Sequence, residues 1–108
     1  MIQQIHPLEV KAKLDSNEPM VLLDVRQPEE YAICKLANSQ LVPLGELPRR
    51  VEEVEIEPGT LVVVYCHHGV RSISGAMMLL QAGFKNVASM SGGIEAWSQL
   101  VDPTVPRY

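Results

Sequence analysis

The stretch VVVYCHHGVRSISGAMMLL, residues 62–80, decides the fold. Together with Leu61, its first four residues form an apolar run too short for a helix and suited to a buried strand. Its last eight place Ile73, Ala76, Met77 and Leu80 at i, i+3, i+4 and i+7, the spacing of one helix face, with Gly83 positioned to cap the end. Between strand and helix lies a short loop carrying a cysteine, two histidines, a glycine and an arginine.

Working outward, MVLLDV at 20–25, QLVPL at 40–44 and NVASM at 86–90 repeat the short apolar pattern of buried strands. Helix-like segments separate them. Pro7 opens the first, and Pro28 followed by Glu29 and Glu30 opens the second, with proline at a first helical position and acid where the helix dipole favours it. Leu47 to Glu53 reads as a short third helix and Ile94 to Leu100 as a fifth, after the one beginning beyond the cysteine loop. Alternating strands and helices predict an α/β fold: a small parallel sheet with helices on both faces, formed by residues 1–108 as one domain. Ligand sites in such sheets gather at the carboxyl ends of strands, where Cys66 stands.

The chain has 108 residues, 46% hydrophobic and 20% charged, enough to bury a core without staples. A net charge of -4 with scattered basic residues argues against a nucleic-acid surface. MIQQIHPLEV shows neither a secretory leader nor a membrane span, so a cytoplasmic protein is expected. In that compartment Cys34 and Cys66 are not a disulfide framework and are weighed singly.

A loop turning from strand into helix between Tyr65 and Ser72 leaves several amide N–H groups without helical partners, able to converge as an anion-binding nest. The helix N-terminus adds partial positive charge there, Gly69 admits backbone angles closed to other residues, and Arg71 supplies a permanent cation. A thiol in that setting is stabilised as its thiolate. Cys66 is therefore the candidate nucleophile, and His67, His68, Gly69, Val70 and Arg71 are the candidate substrate-binding residues, through their amides and through Arg71.

These residues are similar to a known family. CHHGVRS resembles the active-site loop of single-domain rhodaneses, sulfurtransferases in which a cysteine accepts a sulfane sulfur and passes it on. LLDVRQPEEY at 22–31 resembles the family's Asp-Val-Arg strand end and Glu-Tyr helix, VPL at 42–44 its next strand, and MSGGIEAW at 90–97 its Gly-Gly and Trp segment. The resemblance implies a sulfurtransferase that moves sulfur from thiosulfate or a persulfide, through a Cys66 persulfide, to a thiol or cyanide acceptor. No dissociable cofactor is implied, and Asp24 with Arg26 would brace the site through polar contacts. CKLANS at 34–39 departs from the family's Gly-His-Ile and Gly-Ala rim.

The tail VDPTVPRY resembles the ends of rhodanese domains fused to adenylating enzymes of molybdopterin and thiamine synthesis and of tRNA thiolation. It implies a second reading, a sulfur relay or regulatory binding module with low intrinsic turnover, served by a protein persulfide or a sulfur-carrier protein. A third reading, a cysteine phosphatase or arsenate reductase, is disfavoured because only four residues separate Cys66 from Arg71; those enzymes use a longer cradle. Metal binding by Cys66, His67 and His68 is not expected, since three neighbours in a tight loop rarely point at one ion. Cys34 could close a disulfide with Cys66 only if their Cα atoms came within about 7 Å; a structural cysteine is the alternative, and the favoured one.

Overall fold

The computed structural model describes residues 2–54 and 57–108. Five parallel strands form one sheet in the order β1-β5-β4-β2-β3: β1 Gln4–Ile5, β2 Met20–Asp24, β3 Gln40–Leu41, β4 Leu61–Tyr65 and β5 Val87–Met90. The apolar run Leu61–Tyr65 is the central strand. β4 pairs along its whole length with β2, from Met20 against Leu61 to Asp24 against Tyr65, and on its other side with β5.

Strand alternation sorts the core into two layers. Val63 and Tyr65 point to the face covered by α1 (Pro7–Asp15) and α5 (Gly93–Leu100), where Val10, Ile94 and Trp97 complete the packing. Val62, Val64 and Cys66 point to the opposite face, under α3 (Leu47–Arg50) and α4 (Arg71–Gln81), beside Leu47, Ala76 and Leu79. α2 (Pro28–Ile33) buries none of its residues in either layer and stands beside the carboxyl end of β2.

The helix starts follow the expected chemistry. Pro7 is the first residue of α1, and the His6 ring caps that helix by accepting from the Leu8 amide at 3.1 Å. α4 closes on two reversed hydrogen bonds, Phe84 N to Leu79 O at 3.0 Å and Gly83 N to Leu80 O at 3.1 Å, so Gly83 does end this helix.

Three features differ from the sequence reading. β1 was not expected: its two residues are too few to show a period, and they pair with Ser89 and Met90 of β5 while Ile5 is buried in the layer that holds Val10, Ile94 and Trp97. QLVPL contributes strand at Gln40–Leu41 alone, since Pro43 has no N–H, although Val42 N and Leu44 N still donate to Asp24 O and Val25 O. Leu47 to Glu53 is one α turn, Leu47–Arg50, continued by a 3₁₀ turn, Val51–Glu53.

Candidate active site

β4 carries its chain into the site at Cys66, which is 1% exposed. Two main-chain amides donate to its sulfur, Gly69 N at 3.1 Å and Ser72 N at 3.4 Å. Ser72 is the second residue of α4, so its N–H is one of those the helix leaves unpaired, and the dipole of an 11-residue helix lies behind it. The amides of His67, His68, Val70 and Arg71 have no hydrogen-bond partner among the described residues. The Ser72 hydroxyl lies 3.6 Å from the Cys66 sulfur and shares a 2.7 Å hydrogen bond with Ser89 Oγ of β5, both serines being fully buried.

The loop is clamped from below by the start of α5. Cys66 O accepts from Ile94 N at 2.8 Å and His67 O from Glu95 N at 3.1 Å. Gly93 sits at φ 62°, and a Cβ there would overlap the carbonyls of Cys66 and His67. Gly69 sits at φ 94°, and a Cβ there would lie 2.9 Å from Gly92 N. Only glycine allows backbone to meet backbone this closely in the left-handed region. The Gly-Gly pair of MSGGIEAW thus serves to seat the cysteine loop.

A polar girdle surrounds the mouth. Arg71 donates to both oxygens of Glu30, Nη1 to Oε1 at 2.7 Å and Nη2 to Oε2 at 2.9 Å. The Arg71 guanidinium, assisted by the Gln27 amide and working against partial burial, holds the Glu30 carboxyl at about 2, well below its ordinary range. Arg26 is fully buried beside Asp24, its Nε and Nη2 reaching the carboxylate at 2.7–3.0 Å. Its Nη2 also donates to Cys34 O at 2.6 Å, and its Nη1 to the Tyr108 hydroxyl at 2.9 Å.

Tyr108 comes from far along the chain. Asp102 accepts from the Thr104 amide and hydroxyl, Ser98 Oγ donates to Val105 O at 2.7 Å, and Arg107 pairs with Glu95, which together fold the tail back to the mouth. The Tyr108 ring stacks on His67, with centroids 3.8 Å apart and planes 9° from parallel, and His68 lies against the other imidazole at 3.8 Å. Partial burial, then the neighbouring His68, lowers the His67 pKa.

Of the residues expected to form the site, Cys66, Gly69 and Arg71 meet at one mouth, with Gly69 acting through its amide. His67 and His68 line that mouth, while the Val70 side chain is 74% exposed and only its main chain belongs to the loop. Asp24 and Arg26 stand behind as a buried brace. Sequence reasoning missed Glu30, Tyr108, Ser89 and the Ser72 amide. The acid in the first turn of α2 was visible, but nothing local announced its guanidinium partner. Cys34 packs with Tyr65 and Leu36 in the layer opposite Cys66, and both thiols are free. Among the described residues no group of three or more His, Cys, Asp or Glu is arranged to hold a metal, and no helix is long and apolar enough to cross a membrane.

This arrangement, a buried thiol under main-chain amides at the end of a central parallel strand, defines a cysteine-loop α/β protein. Residues 6–100 match the model of the rhodanese-like domain, and the chain belongs to that family. It is 30% identical over 99 residues to a protein named sulfurtransferase of Allochromatium vinosum, covering 92% of this chain and 91% of the relative. It is 34% identical over 105 residues to the adenylyltransferase and sulfurtransferase MOCS3-2 of Zea mays, covering 93% of this chain and 22% of that protein. The chain spans 22–26% of the adenylyltransferase–sulfurtransferase relatives it matches. The crystal structure of a rhodanese-related protein from Thermoplasma volcanium superposes with a TM-score of 0.81 at 28% identity, covering 98% of this chain and 99% of that one.

Proposed function

We propose that the protein is a thiol-dependent sulfurtransferase whose nucleophile is Cys66. The observation that carries this reading is the pair of amides, Gly69 N and Ser72 N, already directed at the sulfur. Donors fixed before the substrate arrives stabilise negative charge without reorganisation when it develops. In the first half-reaction the Cys66 thiolate attacks the outer sulfur of thiosulfate or of a persulfide. A bond forms between Cys66 Sγ and that sulfur, the donor's S–S bond breaks, and sulfite or the donor thiolate leaves with the electron pair.

The product is a Cys66 persulfide, with the free amides of residues 67, 68, 70 and 71 available to its terminal sulfur. In the second half-reaction an acceptor thiolate or cyanide attacks that terminal sulfur. Cys66 leaves as thiolate, and no outside oxidant or reductant is consumed. A reducing compartment, the cytoplasm, suits a thiol that must stay unpaired. The test is direct: incubation with thiosulfate or a persulfide should add one sulfur, about 32 Da, to Cys66. No adduct from any donor, or full turnover by Cys66→Ser, ends the reading.

A second reading has its own support. Val70 and Ile33, at 74% and 51% exposed, are apolar side chains on the loop and on α2, the two segments joined by the Arg71–Glu30 pair. With relatives named for adenylyl and sulfur transfer together, this favours a relay that receives or delivers sulfur through a protein partner such as a sulfur carrier. Turnover with small donors far below transfer from a protein persulfide would favour the relay.

A further inference from the structure

Tyr108 is held at three points by groups that the transfer of sulfur does not itself require. Its hydroxyl accepts from Arg26 Nη1 at 2.9 Å and donates to Glu30 Oε2 at 2.7 Å, and its ring lies flat on His67. Burial, reinforced by the Glu30 contact and opposed by Arg26, pushes the phenol up to about 12, so it remains a donor at neutral pH.

Glu30 is consequently filled. Its Oε1 takes the Gln27 amide and Arg71 Nη1, and its Oε2 takes Arg71 Nη2 and the Tyr108 hydroxyl. A carboxylate fixed on both oxygens stays on its guanidinium. Three ion pairs stand around the mouth, and each cancels its own charge: Arg26 with Asp24, Arg71 with Glu30, Arg107 with Glu95. An approaching anion therefore meets Arg71 as half of a neutral pair.

We propose that Tyr108 is a specificity-determining positioning residue: by fixing Glu30 on Arg71 it keeps the mouth electrically neutral, favouring sulfane-sulfur donors of low charge, such as alkyl thiosulfonates and persulfides, over the thiosulfate dianion. The inference rests on the sulfurtransferase reading and names its donor class. A dianion approaching a thiolate needs a compensating cation, and one uncompensated unit charge at about 4 Å in water is worth about fivefold in affinity. A thiosulfonate monoanion needs it less, and delivers its outer sulfur to Cys66 with a sulfinate leaving on the electron pair in place of sulfite.

The experiment compares kcat and KM for thiosulfate and methanethiosulfonate in the wild type, Tyr108→Phe and Glu30→Gln, at low and high salt. Tyr108→Phe keeps the stacked ring and removes both hydroxyl contacts; Glu30→Gln removes the neutralising charge. The wild type should have the higher kcat/KM with methanethiosulfonate. Both variants should move that ratio toward thiosulfate, Glu30→Gln by about fivefold and Tyr108→Phe by less. The change should lie in the KM for thiosulfate and shrink at high salt. A ratio unchanged in both variants, or an equal loss with both donors, overturns the proposal. If mass spectrometry still finds the Cys66 persulfide in that case, the sulfurtransferase reading stands; if no donor loads Cys66, both fall.

Discussion

Glu30 and Arg71 meet through two parallel hydrogen bonds, 2.7 and 2.9 Å long, across 41 residues of sequence. The pair ties the first turn of α2 to the first residue of α4 and so fixes the cysteine loop from the side. Because the carboxyl is held at about 2 in the folded chain against an ordinary 4.5, the stability it contributes is complete above the ordinary value and is lost as pH falls toward 2. Stability against urea should therefore fall between those limits, by on the order of 1–2 kcal/mol after allowing for solvent screening. Glu30→Gln should lack this acid-dependent component; an acid profile identical to that of the wild type would refute the assignment.

Gly93→Ala is expected to displace the cysteine loop, because the new methyl group falls on the carbonyls of Cys66 and His67. A loss of about 2–4 kcal/mol in chemical denaturation is expected, from the strained backbone and the broken Ile94 and Glu95 hydrogen bonds. Alkylation of Cys66 should change in the folded protein as well. Wild-type stability and reactivity together would mean that the close approach is not required.

Arg26→Met should cost about 3–5 kcal/mol, because Asp24 is left buried without its counter-charge. Asp24→Leu combined with Arg26→Met should recover part of that loss, since an apolar pair carries no uncompensated charge. A double variant as unstable as the sum of its singles would show that the contacts of Arg26 to Cys34 O and Tyr108 matter more than the ion pair.

Ser72→Ala separates the side chain from the main chain of one residue. The amide at 3.4 Å from the sulfur remains, while Ser89 Oγ loses its 2.7 Å partner in a fully buried place. Stability should fall by about 1–3 kcal/mol, the cost of an unsatisfied buried hydroxyl, while persulfide still forms on Cys66. Loss of the persulfide in a folded variant would assign the chemistry to the hydroxyl instead.

The strand–loop–helix from Leu61 to Gln81 was legible because a short unbroken apolar run gives way across one loop to helical spacing. Cys66, Gly69 and Arg71 were legible for the same reason: they occupy six consecutive residues whose local geometry implies an anion nest. The two-residue edge strand at Gln4–Ile5 carries no period, and Pro43 cut short the strand expected over 40–44. Arg71 was readable as a cation, yet its carboxylate partner lies 41 residues away on α2, a pairing that only the folded chain brings together. Tyr108 lay further from reach, since the return of the tail depends on Ser98 and Glu95 meeting Val105 and Arg107 in space.

The sheet also separates the two sulfurs. Cys34 belongs to the layer beneath α1 and α5, and Cys66 to the layer beneath α3 and α4. Peroxide that converts Cys66 to its sulfenic acid would find no thiol of its own layer to condense with among the described residues. A diffusing thiol would then be the reductant of that sulfenic acid, which ties its repair to the thiols around the protein.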